Sequence, residues 1–289
     1  MQYGIYYAYW ENSWGGQFVP YIKKVKKFGF DILEVSCSAF DRENTAYFQE
    51  LKKVSGDYGM QLTGGYGPRK EHNLAACDKA QLEAAFSFYA DMFRKMEIAG
   101  IEWLGGALYS YWPLDKSAPM DKPGDFGRSV TNMRRLADMA RDHGISLGME
   151  VLNRFEGYLL NECYEAVDYV KAVGKQNVKV MLDTFHMNIE EDSFADAIRL
   201  AGGLLGHVHV GEANRRPPYA KGRLPWREIG DALHEIGYNG NVVMEPFVKM
   251  GGQVGKDINI WRDLSHGAPE AQLDQDAAEA VAFLRGLWG

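Results

Sequence analysis

Four polar residues stand at the ends of four successive β-rich segments in the second half of the chain. Glu150 follows residues 145–149, Asp183 follows 178–182, His209 follows 204–208 and Glu245 follows 241–244. Taken singly, an acidic residue after a strand usually caps the next helix or meets water. Taken together, three carboxylates in one small volume repel each other and take up protons unless a cation lies among them. Three oxygen donors and one imidazole predict a site for Mn²⁺, Mg²⁺ or Co²⁺, with zinc less favoured in the absence of cysteine.

A second set of polar residues lies a few positions further on. Glu156, His186 and Arg215 follow the first three of these residues by six, three and six positions. Loop charges usually face solvent, so the spacing leaves exposure and contact with a ligand equally open. Aromatic residues crowd other predicted strand ends: Tyr6, Trp14, Tyr66, Trp112 and Phe247. Several rings around one cavity suit a sugar, whose C–H faces pack on rings while its hydroxyls bond to polar neighbours.

A recurring junction indicates which elements position these residues. An amphipathic stretch, one Gly and an apolar residue that begins a β-rich run occur together at residues 28–30, 58–60, 99–101, 143–145 and 236–238. Gly directly after a helix adopts the left-handed conformation at little cost, so each junction predicts a helix that ends immediately before a strand. Alternation of helix and strand is typical of parallel α/β folds.

The chain contains eight such units. Strands are predicted at 3–9, 30–36, 60–64, 101–108, 145–151, 178–182, 204–210 and 241–245, and helices at 20–27, 43–58, 79–99, 127–142, 162–173, 194–200, 226–236 and 274–287. A short helix is expected at 259–264 within a polar loop, 250–267. Eight pairs predict an α/β fold, a (β/α)8 TIM barrel that forms a single domain over residues 1–289. An open doubly wound sheet would favour a glycine-rich turn after its first strand, and residues 7–12 contain none.

The predicted barrel places the four polar residues at the C-terminal strand ends, where such barrels carry their active sites. Successive strand ends lie side by side, so the four side chains are expected to converge. His207 lies two residues before His209 and shares its strand face one layer deeper, so it is expected to be a hydrogen-bonded core histidine rather than a ligand.

Composition excludes several classes of function. The 289 residues carry a formal charge of −7, which argues against a nucleic-acid partner. The three cysteines, Cys37, Cys77 and Cys163, form no metal or redox motif, so we expect small buried side chains in a reducing compartment. The N-terminal residues do not resemble a signal peptide, and no run of about 18 apolar residues suggests a membrane span. We therefore expect a soluble cytoplasmic protein with no membrane partner.

The chain also resembles a known family at these residues. The segments GIYY (4–7), EVLNRFE (150–156), DTFHMN (183–188), GHVH (206–209) and MEPF (244–247) are similar to those of the ketose 3-epimerases. These enzymes are the D-psicose (D-allulose) and D-tagatose 3-epimerases among the xylose-isomerase-like barrels. The resemblance extends over the whole chain and is closer to the D-psicose branch. It implies a Mn²⁺- or Co²⁺-dependent isomerase that inverts C3 of a free ketohexose, such as D-fructose to D-psicose, and that forms homodimers or homotetramers.

The resemblance also implies a role for individual residues. It implies that the metal is bound by Glu150, Asp183, His209 and Glu245. Glu150 and Glu245 are then also the two acid/base groups, and Glu156, His186 and Arg215 hold the C1–C3 end of the sugar. Tyr6, Trp112 and Phe247 line the pocket. Inversion requires removal of a proton from one face of C3 and its return to the other, so two opposed bases are needed.

Other interpretations remain open. After Arg215-Arg216 the family usually has a short Pro-Gly-Lys-Gly turn, whereas residues 217–222 (PPYAKG) form a turn about one residue longer. This difference bears on the sugar preference but not on the chemistry. The alternatives are a D-tagatose or L-ribulose 3-epimerase, an aldose–ketose isomerase on the same barrel, and a non-catalytic sugar-binding barrel. An apurinic-site endonuclease is disfavoured, since the chain has seven His and a negative charge.

Overall fold

A closed barrel of eight parallel strands forms the centre of the molecule, for which a computed structural model describes residues 1–289. The strands are β1 (Gln2–Tyr6), β2 (Ile32–Ser36), β3 (Gln61–Gly65), β4 (Trp103–Gly106), β5 (Ser146–Glu150), β6 (Val178–Asp183), β7 (Leu205–Val210) and β8 (Asn241–Met244). Each strand pairs with its neighbours in sequence, and β8 pairs with β1 to close the barrel. The predicted TIM barrel is therefore confirmed.

Ten helices connect the strands and surround the barrel. They are α1 (Val19–Lys27), α2 (Thr45–Asp57), α3 (Lys79–Ala99), α4 (Lys122–Asp142), α5 (Cys163–Val173), α6 (Thr184–Glu190), α7 (Phe194–Ala201), α8 (Trp226–Glu235), α9 (Gly252–Asp257) and α10 (Glu270–Trp288). Local chemistry sets their ends. The Asp78 carboxylate accepts hydrogen bonds from the first turn of α3, and Gly100 ends that helix with φ of 75°.

None of the helices is both long enough and apolar enough to cross a bilayer.

Several element bounds differ from the prediction. The prediction of a helix at 259–264 is wrong, because the helix in this loop is α9, which lies earlier. The Val254 amide in α9 donates a hydrogen bond to the Asn12 carbonyl. Asn259 has a φ of 60°, which is incompatible with a right-handed helix. The short helix α6 was not predicted. β1 ends at Tyr6, where the chain enters a 3-10 turn, and β4 ends at Gly106, whose φ is 130°.

The barrel interior below the strand ends is filled by Trp103. Its indole lies against Gly148 and Gly206, where a Cβ atom would come within 2.2 and 2.7 Å of the ring. The ring stacks on the His207 imidazole, with centroids 5.0 Å apart and planes 12° apart. His207 is fully buried as predicted, but neither of its ring nitrogens makes a hydrogen bond, so that part of the prediction is wrong. Its Nε2 lies 3.2 Å from Glu34 Oε2, at an angle that does not suit one.

The cysteines follow the prediction in two of three cases. Cys37 and Cys163 are buried, whereas Cys77 is exposed. The prediction for Cys77 is wrong because this residue lies in the loop that leads into α3, directly before the capping residue Asp78.

Candidate metal centre

The four residues at the ends of β5 to β8 converge. Ligand atoms of Glu150, Asp183, His209 and Glu245 all lie within 4.8 Å of one another. Glu150 and Asp183 end their strands, and Asp183 is the register partner of His209 across the β6–β7 pair. Because parallel strands present their C-terminal ends at one edge, alternation along each strand is enough to direct these side chains to a common point.

Asp183 fulfils both interpretations of an acidic residue after a strand. Its Oδ1 accepts a hydrogen bond from the Phe185 amide, 2.9 Å away, and so caps α6. Its Oδ2 faces the other way, 3.1 Å from Arg215 Nη1 and 3.6 Å from His186 Nε2. One carboxylate therefore starts a helix and also contributes an oxygen to the cluster.

His209 has the orientation that a metal ligand needs. Its Nε2 lies 2.7 Å from Glu34 Oε1, so this nitrogen donates to the carboxylate. Its Nδ1 lies 3.5 Å from oxygens of both Glu150 and Glu245, and this buried atom has no hydrogen-bond partner. A buried nitrogen without a partner, surrounded by carboxylate oxygens, fits a divalent cation.

Electrostatics of the metal-free chain favour a bound cation. Burial, together with the charges of Glu245 and Asp183, raises the pKa of Glu150 to about 7. Burial, together with the charge of Glu245, raises the pKa of Asp183 to about 6, although Arg215 opposes this. Burial alone would lower the pKa of His209, but the charges of Glu34 and Glu245 outweigh burial and raise it well above its usual value. Glu150 and Asp183 are thus held in an environment that disfavours their ionised form unless positive charge is supplied.

Arg215 supplies part of that charge. Its guanidinium lies 2.9 Å from Glu245 Oε2 and 3.4 Å from Glu156 Oε1, and it stacks 3.8 Å from the Phe185 ring centroid. Its backbone is held on both sides, because its amide donates to the Glu212 carbonyl and its carbonyl accepts from Phe247. These bonds hold Arg215 at φ of 65°, an uncommon value for a residue with a Cβ. The loop 217–222 therefore begins after a position that is already fixed.

His186 and Glu156 share one buried partner, Asn153. The His186 Nδ1 accepts from the Asn153 amide at 3.1 Å and lies 2.7 Å from Asn153 Nδ2, which also donates to Glu156 Oε1 at 3.2 Å. Burial and the nearby Arg215 charge lower the pKa of His186 well below its usual value. A neutral imidazole whose Nδ1 accepts must carry its proton on Nε2, the atom that faces Asp183.

Four of the five predicted aromatic residues form one wall of the cavity. Trp14 is central, with its ring centroid 6.5 Å from Tyr6, 5.8 Å from Trp112 and 6.0 Å from Phe247. The Trp14 indole donates to Asp257 Oδ2 of α9 at 2.7 Å, which fixes the ring. Tyr66 lies apart from this wall. It lines the cavity, but its hydroxyl makes a 2.6 Å hydrogen bond with His72.

The cavity encloses about 420 Å³ and joins these features. Eleven of the twelve predicted site residues line it, and Asp183 is covered by Arg215 at its base. A carboxylate cluster, a guanidinium, a neutral imidazole and an aromatic wall in one concave site can bind a small polar molecule and exchange protons with it.

The sequence reasoning missed two residues of the site, Glu34 and Asn153. Both are only 1% exposed. Glu34 lies between Leu33 and Val35 in the buried strand β2, and a charged residue in such a strand is itself a signal of a paired buried group. Glu34, His207 and His209 also offer a second group of potential ligand atoms, although His209 is shared with the first.

Comparisons with known proteins agree with this architecture. A family model described as xylose isomerase-like TIM barrel matches residues 22–285. A crystal structure of D-psicose 3-epimerase in the presence of D-fructose superposes with a TM-score of 0.98 at 54% identity and full coverage of both chains. The structure of D-psicose 3-epimerase with D-tagatose from Clostridium cellulolyticum H10 also gives 0.98, at 51% identity, over 100% of this chain and 99% of that one. The fold and site thus define a barrel of the xylose isomerase-like class.

Curated relatives narrow the class. The D-psicose 3-epimerase of Agrobacterium fabrum is 54% identical over 289 residues, with all of both chains covered. The D-psicose 3-epimerase of Ruminiclostridium cellulolyticum is 52% identical over 99% of this chain and 97% of its own. The chain belongs to the ketose 3-epimerase family of isomerases.

Proposed function

We propose that the enzyme is a Mn²⁺- or Co²⁺-dependent 3-epimerase that converts D-fructose to D-psicose, with residues 1–289 acting as one catalytic domain. The observation that carries the proposal is the cluster of Glu150, Asp183, His209 and Glu245, whose ligand atoms lie within 4.8 Å of one another. The relatives named D-psicose 3-epimerase support the choice of sugar.

The donor set supports the choice of metal ligands. Glu150, Asp183, His209 and Glu245 would hold the ion through three carboxylates and the unpartnered Nδ1 of His209. When bound, such an ion acts as a Lewis acid that polarises the ketose carbonyl and makes the C3 proton more acidic.

Two carboxylates are placed to exchange that proton. Glu150 and Glu245 approach His209 Nδ1 at the same distance, 3.5 Å, from strands β5 and β8 at the two ends of the arc. In the proposed reaction one of them takes the proton from C3, the C3–H electron pair forms a C2–C3 double bond, and the carbonyl π pair moves onto O2 to give an enediolate. The other glutamic acid then returns a proton to the opposite face of C3. One glutamate must begin ionised and the other protonated, so that the first can take a proton and the second can give one.

The remaining residues bind and orient the sugar. The neutral His186 donates from Nε2, Arg215 donates from its guanidinium, and Glu156 accepts from a sugar hydroxyl. Tyr6, Trp112 and Phe247 pack against the C–H groups of the sugar and exclude water. Trp14 and Tyr66 also line the cavity. The cavity lining and the contacts that orient His186, Arg215 and Glu156 support these roles.

The test is incubation of the metal-loaded enzyme with D-fructose, D-tagatose or L-ribulose, followed by product analysis by NMR. We expect D-psicose from D-fructose at the highest rate of the three, no turnover after dialysis against EDTA, and recovery with Mn²⁺ or Co²⁺. An aldose product would instead indicate an aldose–ketose isomerase. Binding without any product would indicate a sugar-binding barrel.

We further propose that the enzyme is a cytoplasmic homodimer or homotetramer. The resemblance to the ketose 3-epimerases supports the assembly, and the cysteine usage supports a reducing compartment. Analytical ultracentrifugation of the purified chain tests the assembly, since a monomer at micromolar concentration would contradict it.

A further inference from the structure

A buried carboxylate lies behind His209, on the side away from the metal cluster. Glu34 comes from β2, across the barrel from β7, and is only 1% exposed. Its Oε1 lies 2.7 Å from His209 Nε2. Its Oε2 accepts a 2.8 Å hydrogen bond from the hydroxyl of Thr63, its register partner on β3. Both oxygens of a buried charge are therefore paired, as burial requires.

This contact decides which nitrogen of His209 carries the proton. A carboxylate only accepts hydrogen bonds, so the nitrogen that faces it must be the N–H. In the neutral imidazole that binds a metal, the proton therefore lies on Nε2 and the lone pair on Nδ1, which is 3.5 Å from oxygens of Glu150 and Glu245. Metal binding needs this tautomer and ring orientation.

Thr63 and Trp103 hold the arrangement in place. The Thr63 hydroxyl fixes the plane of the Glu34 carboxylate, and Trp103 supports His207, which lies beneath Glu34. The distance between Glu34 Oε2 and His207 Nε2 is 3.2 Å. Glu34 therefore has little freedom to turn away from His209.

We propose that Glu34 is a positioning residue for the metal centre, which acts on the ion through His209. The chain Thr63–Glu34–His209 fixes the tautomer of the ligand and increases its basicity. The inference rests on the proposed function, because it assumes that His209 binds a divalent ion. It also explains the second group of potential ligands: Glu34 is there to orient His209, and no second ion is required.

The experiment compares Co²⁺ binding by the full-length enzyme and by Glu34→Gln, followed by the visible absorption of the bound ion and by calorimetry. Gln keeps the shape of the side chain but removes the charge that strengthens the hydrogen bond. We expect Co²⁺ affinity to fall about 10–100-fold in Glu34→Gln, the usual cost of losing such a partner. Thr63→Val, which removes the hydroxyl but keeps the shape, should weaken binding in the same direction and serves if Glu34→Gln fails to fold.

Asp125→Asn is the matched control. Asp125 is also a buried carboxylate and accepts from the Tyr158 hydroxyl, but it lies on α4, outside the cluster. Asp125→Asn should bind Co²⁺ as the wild type does. Equal affinity of wild type and Glu34→Gln, or an equal loss in Asp125→Asn, would overturn the inference. Failure of the wild type itself to bind Co²⁺ would overturn the proposed metal centre instead, so the two results are distinguishable.

Discussion

The carboxylate cluster makes a strong prediction about the stability of the metal-free enzyme. The pKa of Glu150 is raised from 4.5 to about 7 in the folded chain. A group with a raised folded pKa stabilises the fold fully below its unfolded pKa, and that stability is lost as the pH rises through the folded value. Glu150 should therefore destabilise the metal-free enzyme increasingly between about pH 5 and pH 8. Asp183 and His209, whose pKa values are also raised, act in the same direction.

The magnitude follows from the size of the change in pKa. One pKa unit corresponds to about 1.4 kcal/mol, so ionising Glu150 costs about 3 kcal/mol of unfolding free energy at pH 8. For a chain of 289 residues the unfolding entropy is about 0.6 kcal/mol per degree, and the loss lowers Tm by about 5 °C. Excess Mn²⁺ at about 100 times its Kd should restore a similar amount, about 3 kcal/mol.

The assay is calorimetry of wild type and Glu150→Gln in EDTA at pH 5, 6, 7 and 8, and again with Mn²⁺. Titrating groups away from the cluster are common to both proteins, so the difference in Tm reports Glu150 together with its effect on the pKa of His209. In EDTA, Glu150→Gln should gain about 5 °C on the wild type between pH 5 and pH 8. With Mn²⁺ this gain should largely disappear at pH 8, because the ion restores about 3 kcal/mol to the wild type. A difference in Tm that stays constant with pH, or equal stabilisation of both proteins by Mn²⁺, would refute the reasoning.

Three further predictions concern catalysis, binding and packing. Glu245→Gln, like Glu150→Gln, should lower kcat about 10²–10⁴-fold with unchanged circular dichroism, because inversion needs both bases; near-normal turnover would rule out the two-carboxylate scheme. Asn153→Ala should lower kcat/KM for D-fructose about 5–30-fold, because His186 and Glu156 lose the side chain that orients them. Its Co²⁺ affinity should be unchanged. Steady-state kinetics measure the first effect and Co²⁺ titration the second. Gly148→Ala should reduce unfolding free energy in urea by about 1–3 kcal/mol, because its Cβ would lie 2.2 Å from Trp103. The control Gly127→Ala, in open space on α4, should be neutral or stabilise by up to about 1 kcal/mol; equal effects of both would contradict the packing account.

The barrel and the cluster were predictable because both depend on local patterns. Gly100 and Gly144 end their helices with positive φ directly before β-rich runs, as the junctions in the sequence indicate. Once eight parallel strands are accepted, the residue types at their C-terminal ends determine what meets there. Asp183 shows the limit of this reasoning, since capping and clustering were weighed as alternatives and the side chain does both.

The missed features depend on contacts between distant parts of the chain. Glu34 and His209 are 175 positions apart and meet only because β2 and β7 face each other across the barrel interior. The position of α9 depends on Asn12, and the direction of the Tyr66 hydroxyl depends on His72. Periodicity and spacing contain no information about such pairs.

The most direct test of the central claim follows the C3 hydrogen itself. The metal-loaded enzyme is given D-fructose in D₂O, and early in the reaction the substrate and product are separated and examined by NMR. Two opposed glutamates predict D-psicose with deuterium at C3, while the remaining D-fructose carries none. Product that retains its original hydrogen at C3, or deuterium at C1 instead, would contradict the account.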